Sequence, residues 1–186
     1  MRRLYHPRGL TDVRPRARRG KESYVHDSLK RVQVDEFDEE AFIAALSRVR
    51  ALLIGRRALI ALGLPVLTAD YDVWLHIDDI EALNAELAPL DLLPNRSPAE
   101  ARRAGRYVLE NGEHVDVFVA RAIPTVDGVS VAFDDLWTRR QAVAYSPKAD
   151  IVIPSIEDLI LTKRFGGRKR DIADIEYLEA LKSRRP

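Results

Sequence analysis

The chain has 186 residues, of which 46% are hydrophobic and 32% charged, enough to bury one sizeable core, so the reading is one domain with a tail. Cysteine is absent, which removes disulfides, thiolate zinc sites and thiol nucleophiles together and accords with a reducing cytosol. The net charge of +1 conceals two basic ends, about +7 over residues 1–32 and about +4 over residues 163–186, set against a middle of about −10.

No uninterrupted apolar run approaches the roughly 18 residues that span a bilayer, and the opening MRRLYHPRGL lacks the apolar core of a signal peptide. A cytoplasmic protein without membrane contact is therefore expected. Residues 1–32 mix Pro, Gly, Arg and Ser with little periodicity, which reads as a basic arm without a core of its own, and residues 33–186 read as the folded domain. Basic ends suit a phosphate-rich partner such as RNA, and a solvated tail has the same composition.

Within VDEFDEEAFIAALSRVRALL, Phe37, Phe42, Ile43, Leu46 and Val49 recur at helical spacing, with acids in the first turn where they complement the helix dipole. A short strand in ALLIG and a short helix in RRALIALG follow, the latter ended by Gly63 and Pro65. TADYDVWLHI alternates with period two, putting Tyr71, Val73, Leu75 and Ile77 on a core face and Asp70, Asp72, Trp74 and His76 on an acidic one. A helix is predicted over 78–90, then a Pro-containing loop, LDLLPNRSPAE. Strands GRYVLE and HVDVFVA are joined at Asn111-Gly112, a hairpin signal because both residues tolerate positive φ. Short strands near 129–132 and 151–153 precede helices over 155–165 and 169–181, giving a helical C-terminal segment, with Ser155 and Asp158 spaced as a capping box.

Asp70 and Asp72 stand two apart on one predicted strand, so their carboxylates project from one face with Cα atoms about 7 Å apart. Asp116 interrupts a buried strand whose Val115, Val117 and Val119 take the opposite face. Three converging acids would be driven toward protonation unless a cation compensated them, and hard oxygen donors select Mg²⁺ or Mn²⁺. Spacing alone is weak, since strand-end aspartates facing water have it too. His76 and His114 lack partners that would make a transition-metal site, and Tyr71, Trp74 and Tyr107 read as core more readily than as base-stacking platforms.

The surrounding sequence sharpens this. IGRRALIALGLPVLTADYDVWL resembles the start of minimal nucleotidyltransferases of the toxin and abortive-infection type, within the polymerase-beta-like superfamily. Gly55, Ala58, Gly63, Pro65, Thr68, Asp70 and Asp72 occupy the pattern's positions. Asp116 matches the third catalytic acid. PSIEDLILTKRFGGRKRDIADIEYL is similar to the closing helical segment, with Lys163, Arg168, Asp171 and Asp174 on its pattern. The resemblance covers about residues 40–182 and implies a mixed α/β fold with a central mixed sheet flanked by helices. It implies attack by an acceptor hydroxyl on the α-phosphate of a nucleoside triphosphate such as ATP, with release of pyrophosphate. Asp70, Asp72 and Asp116 would hold divalent metal, Asp116 doubling as base. Gly55, Arg56, Thr68, Lys163 and Arg168 would contact the nucleotide. RNA, a tRNA end or a protein would be the acceptor, and a cognate antitoxin the partner.

The chain departs from that pattern at Arg56, where a small residue is expected. A guanidinium there either blocks the phosphates or binds them. The first outcome leads to a second reading, a catalytically degenerate binding module for a partner protein or nucleic acid.

Overall fold

The strand ALLI is apolar at every position, and all four residues are buried, because this strand, β1 (Ala51–Ile54), is covered on both faces. The computed structural model describes residues 37–65, 68–111 and 113–184. The basic arm assigned to residues 1–32 and the turn residue Gly112 lie outside them. Strand β2 (Tyr71–Leu75) pairs antiparallel with β1 and parallel with β5 (Glu113–Phe118). On the far side of β5 lie β4 (Arg106–Asn111) and the two-residue β3 (Leu93–Pro94), both antiparallel, giving the order β1-β2-β5-β4-β3. The expected central mixed sheet is thus present. In the β4–β5 hairpin, Asn111 pairs with Glu113 and stays out of the left-handed region.

One face of this sheet builds the larger core. Tyr71 and Val73 lie level with Val115 and Val117, Leu75 continues the same face, and helices α1 (Glu39–Leu46) and α3 (Ile80–Leu87) close over them with Phe42, Ile43, Leu83 and Leu87. Asp38 caps α1 by accepting the Ala41 N–H at 2.9 Å. α1 is shorter than its apolar spacing suggests, because the chain must turn after Leu46 to enter β1. The helix predicted over 78–90 divides into α3 with a 3-10 turn at each end, Ile77–Asp79 and Ala88–Leu90, the second holding Pro89, which has no N–H to continue an α-helix.

The opposite face departs from the expectation of a wholly acidic surface. Trp74 is fully buried there, its indole N–H donating to the Ala120 carbonyl at 2.8 Å, with Phe133 and Phe165 edge-on to the ring. Leu52, Ile54, Val131 and Leu136 complete this second core. The cover comes from β7 (Ser130–Ala132), paired with β6 (Ala122–Pro124), and from α5 (Phe133–Thr138). His76 is buried beside Phe133 and accepts the Asp78 N–H through Nδ1 at 3.2 Å, a structural role. Tyr71 and Tyr107 are likewise core, their hydroxyls on Glu39 and Asn84. A second hairpin, β8 (Gln141–Ser146) and β9 (Ala149–Ile153), packs beside β1.

Helix α2 (Gly55–Ala61) follows β1 directly, and α4 (Pro98–Ala104) fills part of the predicted loop. α4 carries a complete capping box, Ser97 with Glu100, but buries only Ala101, so no apolar stripe announces it. The C-terminal segment is α6 (Ile156–Lys163) and α7 (Lys169–Arg184), packed on each other. At the start of α6, Asp158 donates its N–H to Ser155 Oγ at 3.2 Å. Its carboxylate accepts the Ser155 hydroxyl and the Arg139 guanidinium, so the box is completed by Arg139 instead of backbone. No helix among the described residues is long and apolar enough to cross a membrane.

Candidate active site

Parallel pairing of β2 with β5 sets Asp72 level with Asp116. Paired strands lie about 4.8 Å apart, and side chains at matched positions leave the same face, so the two carboxylates share one patch. A transverse row of the sheet reads Ile54, Asp72, Asp116, Val108, and the next row toward the second core reads Leu52, Trp74, Phe118, Arg106. Both acids therefore sit at the rim of an apolar face, half out of water. Burial pushes the Asp72 carboxyl above its ordinary value; the charge of Asp116 adds to this, and Lys163 and Arg168 partly oppose it. His114 Nε2 stands 3.6 Å from Asp116 Oδ2, a charged pair only when the imidazole is protonated.

Gly55 is needed where it stands. It opens α2 with φ +67°, a conformation L side chains rarely adopt, and a Cβ there would overlap Asp72 Oδ2 and come within 2.8 Å of its Cγ. The backbone at the β1–α2 turn thus approaches the carboxylate as closely as a glycine permits.

Across from the acids stand residues of α6 and the start of α7. Lys163, Arg168 and Asp171 share with Gly55 and Asp72 a cleft of about 330 Å³, whose apolar wall is Ile54, Phe118, Ile123 and Phe165. Lys163 is 6% exposed, and its ammonium donates to Asp174 Oδ2 at 2.8 Å. Arg168 donates its backbone N–H and Nε to Asp171 Oδ2, while the buried Asp171 Oδ1 has no hydrogen-bond partner among the described residues.

Of the residues read from sequence, the structure brings Gly55, Asp72, Lys163 and Arg168 to one cleft, with Asp116 in the row beside Asp72. Thr68 does not line it; its hydroxyl accepts the Asp70 N–H at 3.3 Å and shapes the lead-in to β2. Asp70 is exposed, one residue ahead of the strand, and its charge adds to the shift at Asp72. Arg56, read from sequence as a nucleotide contact, is not among the residues that line the cleft. Its Nε and Nη2 reach the Asp174 carboxylate at 3.3 and 3.2 Å, because α7 packs a buried acid against α2. The apolar wall was not anticipated, although Phe118 lies two residues beyond Asp116 on one strand and period two puts it on the same face.

Among the described residues, no three His, Asp or Glu side chains gather as cation ligands, so the expected trio is a pair with a nearby third. Two hard carboxylates are still a fitting donor set for Mg²⁺, which is commonly held by one or two carboxylates with phosphate oxygens and water completing an octahedron. The upward shift at Asp72, caused by burial and its neighbour's charge, is what such a cation relieves.

The mixed sheet closed by two C-terminal helices matches the nucleotidyltransferase fold of solved structures. No family model matches the chain, and no curated protein matches it. The solution structure of the antibiotic-resistance factor ANT(2'')-Ia is similar over 75% of this chain and 80% of that one, with TM-score 0.55 and 14% identity. A Thermotoga maritima protein with a provisional nucleotidyltransferase designation is similar over 78% of this chain and 88% of its own, with TM-score 0.47 and 14% identity. At such identity the likeness is one of fold.

Proposed function

We propose that this chain is a metal-dependent nucleotidyltransferase that moves a nucleoside monophosphate from a triphosphate to an acceptor hydroxyl. The observation that carries the reading is the level pairing of Asp72 with Asp116, with Asp72 facing Lys163 and Arg168 across one cleft. Asp72 and Asp116 would hold the divalent ion, with Asp70 supplying a third carboxylate at the mouth. Bound there, the ion supplies Lewis-acid stabilisation of charge on phosphate. Lys163 offsets the triphosphate's charge as a compact ammonium, and Arg168 offers a partly exposed guanidinium at the same end. Gly55 lets backbone come close to the phosphates, and Phe118, Ile123 and Phe165 give a base an apolar wall. The acceptor oxygen bonds to the α-phosphorus as the bond to the bridging oxygen breaks. Pyrophosphate leaves, and the hydroxyl proton passes to Asp116 and on to solvent.

The basic ends favour a polyanionic acceptor, RNA, and the toxin or abortive-infection role with a cognate partner protein rests on the sequence resemblance. The pairing of Arg56 with Asp174 supports the transfer reading over that of a degenerate binding module. The test is incubation with each labelled nucleoside triphosphate, Mg²⁺ and total cell extract. Labelled acceptor and pyrophosphate are expected with at least one nucleotide, and Asp72→Asn combined with Asp116→Asn should remove both. No label and no pyrophosphate with all four nucleotides would overturn the proposal.

A further inference from the structure

Ion pairing around the cleft is uneven. Arg168 and Asp171 pair one to one at 3.1 Å, a neutral unit. At Asp174 two cations share one carboxylate: Lys163 at 2.8 Å and Arg56 at 3.2 Å. Asp174 is 3% exposed, so its charge is spent on these neighbours and little on water. Had Lys163 been its sole partner, the buried pair would be neutral, and the ammonium would present little net field to the cleft that it lines. With Arg56 the cluster carries one surplus positive charge. Geometry decides where that charge is felt. Arg56 approaches Asp174 from α2 and is 31% exposed, with its Nε and Nη2 on the two carboxylate oxygens, whereas Lys163 lies on the cleft wall. Lys163 uses one of its three N–H donors on Asp174, and the other two have no partner among the described residues.

We propose that Arg56 is a positioning residue that charges the polyphosphate end of the cleft: it takes up the Asp174 carboxylate, which would otherwise neutralise Lys163, and leaves the ammonium for the triphosphate. The inference rests on the nucleotidyl-transfer reading of the same cleft. Arg56 acts through Asp174 and Lys163 and does not touch the ligand. It therefore affects groups that carry the β- and γ-phosphates and leaves recognition of base and sugar alone.

The experiment is calorimetry on the full chain with Mg²⁺ and ATP, GTP, CTP or UTP, using whichever the parent binds most tightly, beside the monophosphate of the same base. Arg56→Ala should weaken the triphosphate about tenfold and the monophosphate less than about twofold, the scale of one unscreened charge near the site. Arg56→Lys should restore most of the triphosphate affinity, and Arg56→Gln, which keeps donors without charge, should not. In turnover the loss should appear in KM with kcat nearly unchanged. Thermal melting of each variant identifies any that fails to fold, and Arg56→Gln then stands in for Arg56→Ala. Equal losses for both ligands would show a merely structural role and overturn the proposal, as would unchanged or tighter triphosphate binding in Arg56→Ala. A parent that binds no triphosphate removes the transfer reading and this inference together; a parent that binds one while Arg56→Ala matches it removes this inference alone.

Discussion

Asp72 and Asp174 are both withdrawn from solvent beside the same cleft, yet their carboxyl groups shift in opposite directions. Burial drives Asp72 up, and its neighbour on the next strand, Asp116, drives it further. Burial also acts to raise Asp174, but hydrogen bonds from Lys163 and Arg56 overcome it and hold the group below its ordinary value. The difference separates a carboxylate that completes the fold from one the fold leaves short of positive charge. An acid of the second kind is where a cation or cationic ligand gains most. The two residues carry the same group, and the more deeply buried one is the one held down; the count of cations within hydrogen-bond reach sets them apart.

That contrast can be broken by substitution. The largest effect is expected for Asp174→Asn, which strands Lys163 and Arg56 around a neutral amide. A loss of about 3 kcal/mol is expected in urea unfolding, the low end for breaking a buried ion pair because Arg56 stays partly in water. A depressed carboxyl stabilises the fold fully above its unfolded pKa, near 3.9, and the contribution is lost as pH falls through the lower folded value. The gap between parent and Asp174→Asn should therefore be constant above about pH 5 and narrow in acid. A gap that held its size in strong acid would show that Asp174 acts by packing.

Gly55→Ala comes next. A left-handed alanine costs about 1–3 kcal/mol, and its Cβ would push Asp72 aside, so melting should fall and nucleotide transfer should be lost together. Retained activity would mean that Asp72 is not held by this turn. Magnesium is expected to raise stability by about 1.4 kcal/mol at tenfold excess over its Kd, read as a melting shift that Asp72→Asn abolishes.

The smallest effect has the opposite sign. Asp72→Asn without metal should stabilise the chain by up to about 1 kcal/mol near neutral pH, since it removes a charge that burial and Asp116 oppose. For a raised carboxyl, stability falls as pH rises through the shifted value, so the gain from Asn should be absent in acid and appear toward neutrality. If Asp72→Asn and Asp174→Asn destabilised alike, the distinction drawn between the two sites would fail.

Much of the site was legible along the chain because strands carry their own ruler. Period two put Asp72 opposite Tyr71 and Val73, and Asp116 opposite Val115 and Val117, as the sheet has them. The same ruler could not say what would cover the acidic face. Trp74 shares that face with Asp72, and its burial depends on Phe133 and Phe165, which arrive from distant elements. α4 and α5 were missed because helices of seven and six residues that bury one or two side chains leave no 3.6-residue stripe.

By itself, the sequence determined the strands that carry the acids, the two C-terminal helices and the faces on which the acids stand, since these follow from side-chain period. Only the tertiary structure decided that Asp72 lies level with Asp116, and that Arg56 crosses to Asp174, 118 residues away, instead of entering the cleft. Strand register and buried ion pairs between remote elements are settled when helices and sheet compete for the same interior, where a charge left unpaired costs more than any local preference can repay.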